Sequence, residues 1–475
     1  MSFTKKNLPS KAENISDWYL ALVQDAELAD YGPVKGTMII RPYGYAIWEL
    51  LQRDMDAHIK EKGVENAYFP IFIPESFLNK EKSHVEGFAP EVAVVTYAGG
   101  EELTEKIVVR PTSETIMYDS YSKWVQSWRD LPILINQWNN VVRWEKRTFP
   151  FMRTSEFLWQ EGHTAHATHD ESLEYVKWAM DVYKNAYYDL FAIPGFVGKK
   201  SESEKFAGGI MTLTFESLMP DGKALQSCTS HDLGQNFAKA FDISFQNQSG
   251  EKQYAWQTSW GFSTRSIGGL IMMHGDDQGL RLPPRLAPTQ IVILPVRSDE
   301  ITLAKCEEIR ASLAKDFRVK VDERDDERIG FKINKWELKG VPLRIELGQK
   351  ELEQGVVTIS RRDTNEKMQI KFEDLNSKVD ELLKSIQQNL LDQAQKILED
   401  NTHITDNYEE FKNIMESKRG FIRSLWCENE TCEKAIKEET KASTRCLPLD
   451  AADEDGKCIY CGAPAKHRWI FAQSY

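Results

Sequence analysis

The 475-residue chain contains no apolar run approaching the ~18–20 residues needed to cross a membrane. Its opening stretch, "MSFTKKNLPSKAENISDWYL", also lacks the apolar segment of a secretory signal. A cytoplasmic location and no membrane partner are therefore expected. No internal repeat or low-complexity segment is present, so solenoids and disordered arrays are set aside. Basic charge is not in excess: the formal net charge is −13, which argues against a sequence-blind coat for nucleic acid. A basic face on one domain would still be compatible with that average. The length allows about three domains, each large enough to bury a core.

Cysteine is scarce until the end. Cys228 and Cys306 stand alone, whereas Cys427, Cys432, Cys446, Cys458 and Cys461 crowd the last fifty residues. Clustered cysteines in a cytosolic chain point to metal rather than to disulfides. Two short-spaced pairs, Cys427-x4-Cys432 and Cys458-x2-Cys461, can each give two thiolates to one tetrahedral zinc. Four thiolates leave no open position, so such a site is structural; a set of reduced, buried thiols is the other reading. Cys446 has no neighbour at knuckle spacing and is left outside the set.

Apolar spacing predicts a helix in "GYAIWELLQRDMDAHIKEKG", with Trp48, Leu51, Met55 and Ile59 on one stripe and Gly63 as its stop. The stripe fits a helix packed on its own sheet and equally a contact between two copies. "AYFPIFIP" reads as a strand that its prolines confine to an edge or end. Strand-like runs follow at 106–112, 132–145 and 155–167, the last two joined by the polar loop "KRTFPFM", and a helix is expected over 171–189. Up to about residue 286 the pattern is an antiparallel sheet flanked by helices.

A βαβαβ rhythm then sets in, with strands expected at 286–296, 318–323, 341–348 and 355–362 and helices between them. It ends near Asp374. The next segment places Val379, Leu383, Ile386, Leu390 and Ile397 on one helical stripe, more in keeping with a docked helix than a coiled coil. The expected architecture is an α+β domain over 1–286, an α/β domain over 287–377, and over 378–475 a helix followed by a small α+β zinc-binding domain.

The segment "RWEKRTFPFMRTSEFLWQEGH" (143–163) sets Arg143, Lys146, Arg147, Arg153 and His163 among glutamates and five large aromatics. Neither a plain core nor a solvated loop needs that mixture. Its frame, Arg143-x-Glu145, a loop, then Arg153-x-x-x-Phe157, resembles motif 2 of the class II aminoacyl-tRNA synthetases. "TSWGFSTRSIGGLIMMHGDDQGLRLPP" (258–284) resembles motif 3, and the helix and strand from Gly36 to Pro74 resemble motif 1, the dimer-forming element of that class. "RPTSET" (110–115), "FLWQEGH" (157–163), "EKFAGG" (204–209), "TSHDLGQNF" (229–237), "WELKGVPLRIELG" (336–348) and the cysteine tail resemble the prolyl-tRNA synthetases of archaeal and eukaryotic-like type, essentially end to end. About a hundred residues separate motifs 2 and 3, too few for the editing domain that bacterial-type members insert there.

The resemblance implies a two-step reaction on L-proline, ATP with magnesium, and tRNA(Pro), in a homodimer. Arg143 and Arg265 are the catalytic cations it implies. Arg143 would span the α-phosphate and the substrate carboxylate, a task suited to a planar guanidinium. Phe157 and Arg265 would sandwich the adenine, Glu145 would accept from its amino group, and Arg153 and Thr154 would reach the phosphates. Gln226, Thr229 and Ser263 match further ATP-side or metal-side positions. Proline needs an acceptor for its two N–H donors, for which Glu114 and Glu161 are candidates beside Thr112. Trp159, His163, Phe206 and His231 match the ring-lining positions. By the same resemblance the α/β domain would bind the anticodon, with Phe331, Lys332 and Trp336 as conceivable contacts, and Tyr475 would bring the terminal carboxylate near the catalytic domain. A sister enzyme for threonine, serine or histidine is one alternative. A non-catalytic tRNA-binding paralogue is another, although the motif arginines are all in place.

Overall fold

The computed structural model describes residues 8–82 and 91–475; the first seven residues of the N-terminal stretch lie outside them. Among the described residues, no helix is long and apolar enough to cross a membrane. Eleven strands form one sheet. In chain order they are β1 (Glu65–Asn66), β2 (Ile133–Val142), β3 (Glu156–His166), β4 (Phe196–Lys199), β5 (Met211–Leu218), β6 (Ala224–Gly234), β7 (Trp256–Ser263), β8 (Thr402–Ile404), β9 (Phe421–Trp426), β10 (Ser443–Pro448) and β11 (His467–Ala472). Across the sheet the order is β8-β9-β11-β10-β4-β5-β6-β7-β3-β2-β1. Only the outermost pairs, β8 with β9 and β1 with β2, are parallel.

Side chains alternate between the two faces of a strand, and this alternation divides the labour of the sheet. One face is backed by the helix His169–Asp189: Ser230 donates to Val176 O at 2.8 Å, and Tyr183 donates to Gln160 Oε1 at 2.6 Å. Glu161, Thr229 and His231 point the other way. The expected long antiparallel pair is β2 and β3, in register from Ile133 opposite Ala165 to Val142 opposite Glu156. Less of "AYFPIFIP" is strand than expected: only Phe72–Pro74 pairs, with Glu101–Val109. The strand at 106–112 likewise stops at Val109, which leaves Thr112 in the turn before the helix Glu114–Trp124.

The stripe Trp48, Leu51, Met55 and Ile59 of the helix Pro42–Glu61 is buried within this chain, so it serves the core and not a second copy. The α/β unit has a five-stranded mixed sheet in the order Val319–Val321, Ile291–Pro295, Leu343–Leu347, Val356–Arg361, Lys367–Lys371, of which the first three are parallel. The helix Leu375–Asp400 is docked on its own protein: Val379, Leu383, Ile386 and Leu390 join the core of the α/β unit. Farther along, Ala394 joins the core of the large sheet and Leu398 the cluster beneath the C-terminal strands.

The C-terminal strands continue the main sheet directly. β10 pairs with β4, Leu447 opposite Lys199 and Pro448 opposite Gly198. A Cβ at Gly198 would stand 2.5 Å from Leu447 O and 2.7 Å from Cys446 Sγ, so the seam closes only around glycine. Gly198→Ala is expected to cost about 1–3 kcal/mol by overpacking this seam, read as a lowered urea midpoint at unchanged slope.

Candidate active site

The face opposite the long helix holds a cavity of about 290 Å³. The antiparallel register builds its floor in rows. His163, Ser259, His231 and Thr212 stand side by side across β3, β7, β6 and β5. Glu161, Gly261 and Thr229 form the next row, and Trp159 with Ser263 the one beyond. A bulge between Phe215 and Glu216 sets Gln226 opposite Glu216. That extra residue re-aims Gln226 onto the cavity face, where strict alternation would have turned it away. Thr112, Glu114, Arg143, Phe157, Phe206 and Arg265 complete the predicted residues in the wall.

Three predicted residues do not line the cavity. Arg153 Nε donates to Glu145 Oε2 at 2.7 Å, and this ion pair is half-exposed. Thr154 donates to Glu156 O at 2.7 Å. Conversely, Lys200, Glu204, Thr212, Ser227, Cys228, Ser259, Trp260, Gly261 and Phe262 line it without having been singled out. Extending the period of two along β5 and β7 from the matched motifs would have found Thr212 and Ser259. Nothing local marks Lys200.

Glu161 is 1 % exposed and fully coordinated. Its Oε1 accepts from Asn139 at 2.6 Å, Gln137 at 3.1 Å and the Ser113 hydroxyl at 2.5 Å; its Oε2 accepts from Ser113 N at 3.2 Å and meets His163 Nε2 at 2.9 Å. Burial alone would raise its pKa, but the His163 bond and charge, with those of Ser113 and Asn139, outweigh burial and hold it below the usual carboxylate range. Ser113, at the cap position of the helix Glu114–Trp124, caps nothing with its side chain because the hydroxyl is engaged by Glu161. Glu114 is equally buried, yet accepts only from Thr112 among the described side chains and faces the cavity. It has acceptor capacity to spare.

The two histidines differ in charge. Burial opposes the charged form of His163, but Glu114 and Glu161 overcome it and raise its pKa above the ordinary value. Burial, reinforced by the positive charges of His163 and Arg143, lowers His231 to about 3. His231 is thus a neutral ring, fixed by Thr212 Oγ1 at 2.9 Å and packed 4.6 Å from Phe206. Both nitrogens of His163 are engaged, with Glu161 and with the Tyr118 hydroxyl at 3.3 Å. Although Glu114, Glu161 and His163 lie within metal-binding reach of one another, this favours a charged hydrogen-bonding group over a ligand set. Arg143 is anchored by Nε to Pro111 O at 3.0 Å and lies 5.5 Å from the Phe157 ring and 5.4 Å from that of Trp159. Arg265 is anchored to Met152 O at 3.0 Å.

The cysteine cluster forms as its spacing suggests. The Sγ atoms of Cys427, Cys432, Cys458 and Cys461 all lie within 4.8 Å of one another. Cys427 is 3.6 Å from Cys432 and 3.7 Å from Cys461, close to the ~3.8 Å edge of a tetrahedron with zinc–sulfur bonds of about 2.3 Å. Gly462 turns the second knuckle at φ 74°. The set is compatible with zinc. Cys446 lies apart, fully buried in β10. In the α/β unit a second cavity of about 250 Å³ is lined by Arg344, Arg361, Arg362, Lys367 and Trp336. Of the conceivable tRNA contacts, Trp336 binds Asp322 at 2.8 Å and Lys332 is buried with its ammonium on Asp322 O. Both hold the domain together from inside.

Comparison with known proteins agrees with this layout. Residues 96–274 match the class II tRNA synthetase core domain (G, H, P, S and T), 290–382 an anticodon-binding domain, and 408–475 the prolyl-tRNA synthetase C-terminal domain. A proline–tRNA ligase of Natranaerobius thermophilus is 53% identical over 96% of this chain and 95% of its own length. Those of Alkaliphilus oremlandii and Rubrobacter xylanophilus are 49% and 51% identical, each over 100% of this chain and over 98% and 100% of their own lengths. The chain belongs to the prolyl-tRNA synthetase family. The resemblance first seen in the motifs is therefore sound, and the fold is that of a class II synthetase core followed by anticodon-binding and C-terminal domains.

The Glu161–His163 pair makes this synthetase's stability depend on pH in two windows. The lowered carboxylate contributes stability above about pH 4.3, the ordinary glutamate value, and loses it as pH falls through its own lower pKa. The raised imidazole contributes fully below about pH 6.5 and loses its share as pH rises through its own higher pKa. Glu161→Gln is expected to cost roughly 3 kcal/mol or more at neutral pH and to lower the His163 pKa, measured by urea unfolding and by NMR titration of the imidazole.

Proposed function

We propose that this cavity activates L-proline with ATP, releasing pyrophosphate, and then passes the prolyl group to the 3′ end of tRNA(Pro). Proline–tRNA ligase activity is that of the family, and the residue roles are our reading of the geometry. The observation that carries the reading is the contrast between two buried carboxylates: Glu161 is saturated by the protein, whereas Glu114 keeps free acceptor capacity at the cavity wall. Glu114 accepts the secondary ammonium, with Thr112 beside it. Glu161 holds Ser113, Asn139 and His163 in place. Two carboxylates against one imidazolium leave a negative charge that an ammonium matches, once Arg143 is engaged by substrate anions. Trp159, Phe206 and neutral His231 wall the ring; the unpartnered Trp159 Nε1 and Ser259 Oγ remain available to polar groups.

In the first step the proline carboxylate attacks the α-phosphorus and pyrophosphate leaves. The charge that builds on the phosphoryl oxygens and the repulsion between two anions are the barrier, so fixed cations and positioning supply most of the catalysis. Arg143 bridges carboxylate and α-phosphate. Arg265 and Phe157 hold the adenine, and Glu145, Arg153 and Thr154 at the rim swing to the nucleotide on binding. Gln226, Thr229 and Ser263 serve the ATP–magnesium complex. In the second step a ribose hydroxyl attacks the prolyl carbonyl and the departing adenylate phosphate takes its proton, so neither His163 nor His231 acts as a base.

The anticodon-binding domain is proposed to take tRNA; the four cations lining its cavity are each paired with a carboxylate. A division near 1–286, 287–377 and 378–475 is our reading, with the helix Leu375–Asp400 running across the last boundary and packing its first half on the α/β unit. The long helix and β4 to β6 occupy the stretch between β3 and β7, which fits the absence of an editing insertion. Tyr31, Ile39, Tyr45 and Phe72 are exposed apolar residues on the motif 1 side and favour a homodimer. A cytoplasmic location follows from the role in translation. Tyr475 is held by its hydroxyl on Asp221 at 2.6 Å and packs under Lys223, which seats the C-terminus against the strand that carries Gln226.

The direct test is amino-acid-dependent ATP–pyrophosphate exchange with proline beside threonine, serine, histidine, alanine and cysteine. Strongest exchange with proline is expected; exchange strongest with another amino acid would overturn the pocket. Arg143→Ala is expected to lower exchange at least about 100-fold while leaving the thermal transition and metal content unchanged. Zinc at the four cysteines would be structural, supplying folding energy to the C-terminal domain. Metal analysis should find one zinc per chain, and Cys458→Ser should lose it together with a cooperative C-terminal transition.

A further inference from the structure

A buried ionic triad joins the C-terminal domain to the cavity. Lys200 Nζ donates to Glu216 Oε1 at 2.7 Å, and the Thr214 hydroxyl donates to the same oxygen at 2.9 Å. Arg445, on β10, takes the other oxygen, Nε at 3.0 Å and Nη2 at 2.9 Å. Lys200 is 2 %, Glu216 0 % and Arg445 5 % exposed. Two cations share one carboxylate, so one positive charge is uncompensated within the group. Of the acids beside it, Glu204 on the adjoining loop is paired with Lys437 at 3.3 Å, and the buried Glu433 is taken up by the Ser201, Ser203 and Thr444 hydroxyls.

Lys200 itself lines the cavity. Its ammonium has three donors and spends one on Glu216; among the described residues the other two have no protein partner. A buried cation with spare donors at a substrate wall is costly unless an anion meets it. Burial and the neighbouring Arg445 both draw the Lys200 pKa down, and Glu216 opposes them. The placement depends on the C-terminal domain, because the seam of Lys199 opposite Leu447 brings Arg445 to Glu216.

We propose that Lys200 is a further substrate-binding cation of this cavity, taking an anionic oxygen of the bound substrates, phosphate or carboxylate, and that Arg445 is a positioning residue acting through Glu216. With Arg445 present, Glu216 is shared and Lys200 keeps its net charge toward the cavity. Without it, Lys200 and Glu216 collapse to a neutral pair. The inference rests on the proposed activity for the identity of the substrates, but not for the cation itself.

The test is calorimetric binding of ATP and, separately, of proline to the full-length protein and its Lys200→Met, Arg445→Gln and Arg445→Lys variants, with proline-dependent exchange measured alongside. Lys200→Met leaves the Arg445–Glu216 pair whole and carries the test if Arg445→Gln fails to fold. Affinity for one of the two ligands should fall about tenfold or more in Lys200→Met and Arg445→Gln. It should return to within about threefold of the parent in Arg445→Lys, which loses the fork but keeps the charge. A loss confined to ATP assigns the phosphates, and one confined to proline assigns the carboxylate. Unchanged affinity for both ligands in Lys200→Met, or equal loss in Arg445→Gln and Arg445→Lys, overturns the proposal. Absence of exchange in the parent protein would overturn the proposed activity while the binding pattern still decides this inference.

Discussion

A carboxylate inside a sheet is the constraint around which the catalytic domain is arranged. Glu161 is almost wholly withdrawn from water, and an unmatched charge there would cost several kcal/mol. Its donors come from β2, from β3 and from the turn before the helix Glu114–Trp124. Satisfying it therefore fixes the relative position of three segments. Gln137 carries the arrangement outward, because its Oε1 also accepts from Phe69 N at 2.5 Å and ties in the chain leaving the motif 1 helix. Arg110 extends it further by gripping Phe69 O and Asn140. Arg110 is thereby a structural cation, spent on backbone carbonyls and the Asn140 amide.

That arrangement frees Glu114 for chemistry. Two carboxylates forty-seven residues apart share a site, and their environments separate their tasks. One is supplied with donors and becomes part of the scaffold; the other, with one hydroxyl for company, keeps acceptor capacity toward the cavity. The same logic separates the histidines, one kept charged by the carboxylates and the other kept neutral by burial and by the first. In the proposed function, recognition of a secondary ammonium would arise from these differences in hydrogen-bond supply within one preorganised group.

What could be read from the sequence was what repeats locally. The alternation of Phe157, Trp159, Glu161 and His163 on one strand face needs no partner to be seen, and the helical stripes at 42–61 and 375–400 are as plain. The cysteine spacing is local as well, and the four thiols meet. Gln226 could be matched only by motif, since strict alternation would turn it away from the cavity; a bulge, which has no period, turns it into the wall. "AYFPIFIP" looked like a longer strand because its apolar residues suggest a core, yet its prolines withhold ladder donors and only three residues pair. Lys200 and Arg445 were invisible for another reason. Their relation passes through Glu216 and across 229 residues of chain, and no local pattern encodes a contact that exists only once β10 has joined β4.

That junction changes what the C-terminal domain is for. A zinc-bearing tail joined by a flexible linker could be lost with little effect on the cavity. Here the tail is continuous with the catalytic sheet, and Glu433, the residue after Cys432, bonds Ser201, Ser203 and Thr444. Those serines begin the loop that carries Glu204 and Phe206 to the cavity wall. With zinc bound as proposed, the closed thiolate site would hold its knuckles rigidly, and rigidity at Cys432 would be rigidity at Glu433 one residue on. The domain need not touch a substrate to matter to the cavity; it is enough that the cavity wall is held from behind by strands that belong to the same domain as the four thiols.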